Sequence, residues 1–509
     1  MNKDAFPSAS EAYNHAKMAH EMILVSGVQD SLTEIEIDLV KAMQCRFSDP
    51  ATLLNAAGAP VTSEPIEQNT AAFAAAMREV YQRYPEDPNV ASLYAEALMN
   101  YCPWRLWDLN TGTPCEQALL AQEVLEKGLK TAPNHPGLCH LYVHLMEMSP
   151  RPEASLPACA VLRKYFPSAG HLIHMPSHIY VLLGMYQEAA DANIEAWQVD
   201  EVYVKKEGIF NYYTGYRIHN MHFISYAAMF AGRFEEAMMG ARAIKNTLPD
   251  DLLTNPVMNR FFESFLAVEL HVLLRFGKWA EILAIPVPTN TQIHRYLIAT
   301  THYAKGIAHA VLGDVPAAAA ELSLLRTSAL AVPFDHVLHN NLCSDMLAIA
   351  EHMLLGELLY RQGKIEEGFW ELEMAAQLSD SLVYDEPWGW MQPPVHALGA
   401  LNLEQGRVKE AEKYFRRDMD KSKYGRCHPD NIWALRGLES CLLQHPASYS
   451  EDHHQQQQQQ QQDREARETE LREVQAKLAL LKARADCDVS VACMCATKQQ
   501  QQSEKNCCH

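Results

Sequence analysis

The sequence predicts an all-α fold: a right-handed superhelical solenoid of repeated helix pairs, followed by a disordered, partly helical C-terminal tail. Three observations predict it. Apolar residues recur at three- and four-residue spacings through most of the 509 residues, with Gly or Pro as punctuation and no run of alternating short strands. The punctuation itself repeats: a glycine, an aromatic or aliphatic residue two on, then Glu-Ala or a near equivalent. It stands at Gly184 to Ala189 (GMYQEA), Gly232 to Ala237 (GRFEEA), Gly277 to Glu281 (GKWAE), Gly363 to Gly368 (GKIEEG) and Gly406 to Ala411 (GRVKEA), with a weaker copy at Gly313. Finally, His140 and His144 are followed at the same spacing, one repeat later, by His174 and His178.

In chain order, residues 1–65 read as an N-terminal helical cap of one or two helices and a less regular stretch. Residues 66–447 read as the repeat array. In each repeat the glycine closes the first helix, where a left-handed residue is wanted, and the alanine is small because the two helices cross there. Two insertions interrupt the array: the aromatic, turn-rich Cys102–Cys115, and a tyrosine-rich stretch at about Asp200–Arg217. Insertions in solenoids usually map to loops on one face. Residues 448–509 read as a Gln-rich, mostly disordered tail with one short amphipathic helix around Leu471, Val474, Leu478 and Leu481. Its cysteines (Cys487, Cys493, Cys495, Cys507, Cys508) make no CxxC pair, so a zinc ribbon is not supported, and incidental thiols are a simpler reading than lipidation.

The glycine-to-alanine punctuation and the repeat length resemble the tetratricopeptide family over roughly residues 66 to 445. The resemblance implies about seven to nine helix–turn–helix units. The segments PNHPGLCHLYVHLMEM, PSAGHLIHMPSHIYVLLGMYQEA and YRIHNMHF look like a histidine-rich subgroup of that family, a resemblance that carries fold and register but no reaction.

In that register the histidines fall into columns. One holds His140, His174, His222 and His396. A second, four residues on, holds His144, His178 and His271, with Tyr226 in the matching place. A third holds His171 and His219. Spacings of three and four put the columns on one helix face. The family resemblance implies that this face lines the concave, ligand-contacting surface. Neutral imidazole is a common metal ligand, and pairs four apart reach one ion from a single helix. His140, His144, His174, His178 and His222 are therefore the candidate ligands of a divalent transition metal, zinc, iron or copper, with Glu147 as carboxylate ligand or hydrogen-bond partner. His171, His219, Tyr226, His271 and His396 are candidate ligand-binding residues in the same groove. The rival reading is a metal-free scaffold holding an extended peptide or partner helix, or a small molecule. His336, His339 and His428 lie between units or near the array's end and carry less weight.

Bulk composition bounds the rest. A formal charge of −20 disfavours nucleic acid and anionic membrane as partners. No basic-then-apolar N-terminal segment and no uninterrupted run of some twenty apolar residues is present. Thirteen cysteines, an odd count, suit a reducing cytoplasm. There is no GxSxG elbow, no phosphate-binding GxxxxGK[ST] loop and no HExxH.

Overall fold

The computed structural model describes residues 6–25, 27–49, 64–211, 213–444 and 454–496. Part of the expected N-terminal cap and the final glutamine run with Cys507 and Cys508 lie outside them. The described chain is all-α, apart from one two-residue strand pair, Val337–Leu338 with Asn341–Leu342. It divides into two compact units, Met1–Phe166 and Pro167–His509.

The first unit starts with helices Phe6–Ile23 and Glu34–Met43; the second of these carries a full capping box between Thr33 and Glu36. Antiparallel pairs follow. Asp87 caps Pro88–Met99 by accepting from the Asn89 and Val90 amides. His135 caps Pro136–Met146 through the Leu138 amide, and Pro136 sits in the first turn, where its missing N–H costs nothing. The Cys102–Cys115 insertion is a loop. It is pinned by the indole of Trp107, which donates to the Leu145 carbonyl at 2.8 Å.

The second unit contains the six glycine-marked repeats. Each expected glycine stands one or two residues past its helix end and has positive φ, from 64° at Gly277 to 87° at Gly313. A residue with a Cβ is strained there, so the register read from sequence follows from backbone sterics. The expected crossings are as tight as the pattern implied: Ala189, Ala237 and Ala411 are fully buried. Gly368 stands where the others have alanine, and a Cβ on it would lie 2.9 Å from the Gly356 carbonyl oxygen. These are paired helices of an all-α helical-repeat array.

Two expectations are corrected. The tyrosine-rich insertion is mostly helix: Tyr186–Glu207 runs through its first half and Tyr213–Ala231 begins in its second. Asp200 joins them, accepting from the Tyr213 hydroxyl at 2.7 Å and the Asn220 amide at 2.8 Å. The described tail is not disordered. His454–Lys482 is a 29-residue helix packed on Ile432–Gln444, and Val474 and Leu478 are buried on it. Beyond it Val489, Val491, Ala492 and Cys495 are buried in turn. The short apolar segment VSVACMCA thus buries the end of an otherwise polar tail.

Candidate functional site

The site in the second unit begins with two helix segments, Gly170–His174 and Pro176–Leu182, separated at Met175 because Pro176 has no amide hydrogen to continue the ladder. His174 and His178, four apart, present their rings to one side, and their Nε2 atoms lie 2.7 Å apart. Asn193, on the paired helix Tyr186–Glu207, fixes the proton positions. Its Nδ2 donates to the Ala189 carbonyl at 2.8 Å, which turns its Oδ1 toward His174 Nδ1 at 2.7 Å. Since Oδ1 only accepts, His174 carries its proton on Nδ1 and aims the Nε2 lone pair at His178.

Tyr213–Ala231 supplies His219, whose ring centroid is 4.6 Å from that of His174 and 5.6 Å from that of His178. Each of the three offers a nitrogen, and these atoms lie within 4.8 Å of one another. Phe223 lies 5.1 Å from each of the three rings. Around them stands a second ring of polar groups. His339, in the turn of the short strand pair, places Nε2 3.3 Å from His219 Nδ1, with an Asp385 oxygen 3.5 Å from its own Nδ1. Asn341, in the same strand pair, bonds both the Val383 backbone amide and the Asp385 carboxyl, so the strand pair holds the 383–386 segment in place. A Glu386 oxygen is 3.8 Å from His178 Nδ1.

Burial sets the charge state. His174, His178 and His219 are 0%, 2% and 9% exposed. Burial, and then the neighbouring imidazoles, hold His219 well below the ordinary histidine range, and burial pushes His339 down to about 4. Burial also raises the Asp385 carboxyl well above the carboxylate range. His219 and His339 are therefore neutral at neutral pH, and neutral imidazole is the form that ligates metals.

A cavity adjoins the cluster, lined by His178, Phe223, Tyr226, Glu386, Trp388 and His428 among others. Its free volume of about 20 Å³ suits one water molecule. On its wall the Tyr226 hydroxyl lies 2.8 Å from His428 Nε2. His428 Nδ1 donates to Asp418 at 2.8 Å, and His396 Nε2 donates to the same carboxylate at 2.7 Å. Both terminal nitrogens of the Arg275 guanidinium donate to His396 Nδ1, at 2.8 and 3.0 Å. Arginine only donates, so His396 is a neutral ring protonated on Nε2. The two histidines hold Asp418 below its ordinary range against the opposing effect of burial. The result is a buried relay from Tyr226 to Asp418, with Arg275 as its cation.

The remaining predicted residues are distributed as follows. His140, His144 and Glu147 belong to the first unit. There His144 Nδ1 lies 2.8 Å from the buried Glu147 carboxylate, and the two histidine rings are 4.8 Å apart. His171 lies beside His174, with ring centroids 5.8 Å apart, and packs edge-on against Tyr216. His222 is buried beside Phe265 and His339, and neither of its ring nitrogens has a hydrogen-bond partner. His271 packs edge-on against Trp390, and burial pushes it down to about 4. Tyr226 and His396 belong to the relay.

The expected concave, histidine-rich groove is not an exposed wall at this cluster: His174, His178 and His219 are buried, with the strand pair and the 383–388 segment packed beside them. Sequence reasoning gave little weight to His339 and His428, and missed Asn193, Asp385, Glu386 and Asp418. Repeat periodicity cannot find residues on inter-repeat loops or on second helices. Only Asn193 offered a signal, a polar residue amid the alanines of its helix.

No family model matches the chain, and no curated protein matches it. Among solved structures the chain is similar to that of yeast Tom70, at 13% identity and a TM-score of 0.31, over 86% of this chain and 72% of that one. At that level the fold assignment rests on the helices described above. No helix among the described residues is long and apolar enough to cross a membrane.

Proposed function

We propose that the second unit holds a divalent transition metal, zinc, iron or copper, between His174, His178 and His219, and that the adjoining cavity admits a water molecule to it. One observation carries this reading: two Nε2 atoms 2.7 Å apart, with the His174 proton held away on Nδ1 by Asn193. A carbonyl-type oxygen on the far nitrogen is the usual support of a metal-bound histidine. Without a metal, His178 must spend its own Nε2 proton on His174. With one, both lone pairs serve the same ion, and Glu386 faces the other nitrogen of His178.

Three histidines leave a coordination position for water, and the metal would make that water more acidic. Tyr226, backed by His428 and Asp418, is the proton-handling group on the cavity wall. The enclosure of the three rings supports this reading over a groove that grips an extended peptide, since a peptide needs an accessible wall and the cavity has room for about one water.

The test is the element content of untagged full-length protein. Near-stoichiometric metal is expected, falling sharply in His174→Ala and His178→Ala but unchanged in His352→Ala, whose ring bonds Glu371 elsewhere in the unit. Metal-free protein whose thermal stability does not move on adding zinc, copper or iron would end the proposal. Capture of a protein partner that the same two substitutions abolish would favour the scaffold instead.

A further inference from the structure

The docked tail carries a second chemistry, independent of the histidine cluster. After the His454–Lys482 helix the chain is tied down residue by residue. The Asp486 carboxylate accepts from the Phe234 and Glu235 backbone amides, and so caps a helix whose own N-cap residue, Arg233, supplies no side-chain bond. Arg436 donates to the Ser490 carbonyl at 2.9 Å, and Arg361 donates to that of Cys495. Met494 packs on Gly277 so closely that a Cβ there would lie 2.9 Å from its own Cβ. These contacts fix the turn in which Cys493 and Cys495 face each other, with sulfurs 2.7 Å apart. That is closer than two unbonded sulfurs normally rest. Cys493 is partly exposed and Cys495 buried.

We propose that Cys493 and Cys495 are a dithiol centre that closes reversibly to a disulfide by exchange with a small disulfide such as oxidised glutathione. Cys493 is the attacking sulfur because it is the less buried residue of the two. The hydrogen bond from Cys495, and then the buried Arg275 guanidinium, lower its thiol below the ordinary range against the opposing effect of burial. The same hydrogen bond, and burial, raise Cys495 well above it, which suits a resolving thiol. In the first step the Cys493 thiolate attacks one sulfur of oxidised glutathione and expels a glutathione thiolate. In the second, Cys495 loses its proton to that thiolate or to solvent and attacks the Cys493 sulfur, expelling the second glutathione. Two protein thiols are oxidised to one disulfide, and one oxidised glutathione is reduced to two thiols.

The experiment equilibrates the full-length chain in glutathione buffers of graded oxidation, blocks free thiols by alkylation, and weighs the tryptic peptide from Ala485 to Lys498. This peptide holds Cys487, Cys493 and Cys495. The expected product has lost two hydrogens and carries a single alkyl group, on Cys487, and dithiothreitol restores triple alkylation. Cys495→Ser is expected to trap Cys493 as its glutathione adduct, whereas Cys493→Ser leaves Cys495 unmodified. Cys487→Ser leaves the disulfide intact. Triple alkylation throughout the oxidising range, a disulfide that disappears in Cys487→Ser, or no adduct in Cys495→Ser would each overturn the proposal.

Discussion

Replacing Asp418 with asparagine probes the buried relay where it is most constrained. The carboxylate sits 4% exposed. One oxygen accepts from His396 and Asn431, and the other from His428. An asparagine side chain has a single accepting oxygen. If that oxygen serves His396 and Asn431, the new NH2 faces the protonated Nδ1 of His428. His428 could take the other tautomer, but its Nε2–H would then face Tyr226, whose hydroxyl proton must turn elsewhere. That part of the cost is one hydrogen bond, about 1 kcal/mol.

The larger part is charge. Arg275 is 6% exposed and reaches Asp418 through His396, so Asp418→Asn leaves a guanidinium buried without its anion. Removing one partner of a buried ion pair costs about 3–5 kcal/mol. Stacking of Arg275 on Trp433, 4.6 Å from the ring centroid, offsets some of this, so a loss of about 3 kcal/mol is expected. The assay is urea denaturation of the full chain followed by tryptophan fluorescence, alone and in a cycle with Arg275→Met. The second substitution should recover roughly half or more of the loss, because it removes the stranded cation. A loss below about 1 kcal/mol, or no recovery in the double variant, would refute the account of the network as an ion pair bridged by imidazole.

Three further outcomes follow from single contacts. Asn193→Ala removes the oxygen that holds His174 Nδ1–H and should weaken metal affinity about 10- to 100-fold, measured by competition with a chromogenic chelator. Glu263 is fully buried, accepts from the Tyr296 and Leu297 amides, and is raised by burial from 4.5 to about 7. The folded state therefore keeps a proton that the unfolded chain has released. The stabilisation this gives is complete below pH 4.5 and is lost as pH rises through about 7. The stability of Glu263→Gln relative to wild type should accordingly climb by up to about 3 kcal/mol across that window and then level off, and a flat difference in denaturation midpoints would contradict it. Asp486→Ala uncaps the Phe234–Thr247 helix and should cost about 1 kcal/mol, with faster amide exchange at Phe234 and Glu235 as the local readout.

The helical-repeat fold and its register were written in the sequence, because both follow from local physics. Glycine is the residue that takes positive φ without strain, so Gly184, Gly232 and their four counterparts marked helix ends before any packing was known. Three- and four-residue spacing put His174 with His178, because a helix places those residues on one side whatever surrounds it. What the tertiary structure decided is everything that crosses between elements. Asn193 reaches His174 from the partner helix. His339 and Glu386 arrive on segments whose path no periodicity describes. The descent of Val489 to Cys495 into the second unit turned a glutamine-rich tail into a docked strap with paired sulfurs. The same holds for His396 and His222: they share a column in the sequence, yet one is spent on an ion network and the other is buried beside Phe265. Identical places in a repeat meet different neighbours, and it is the neighbours that assign an imidazole its proton.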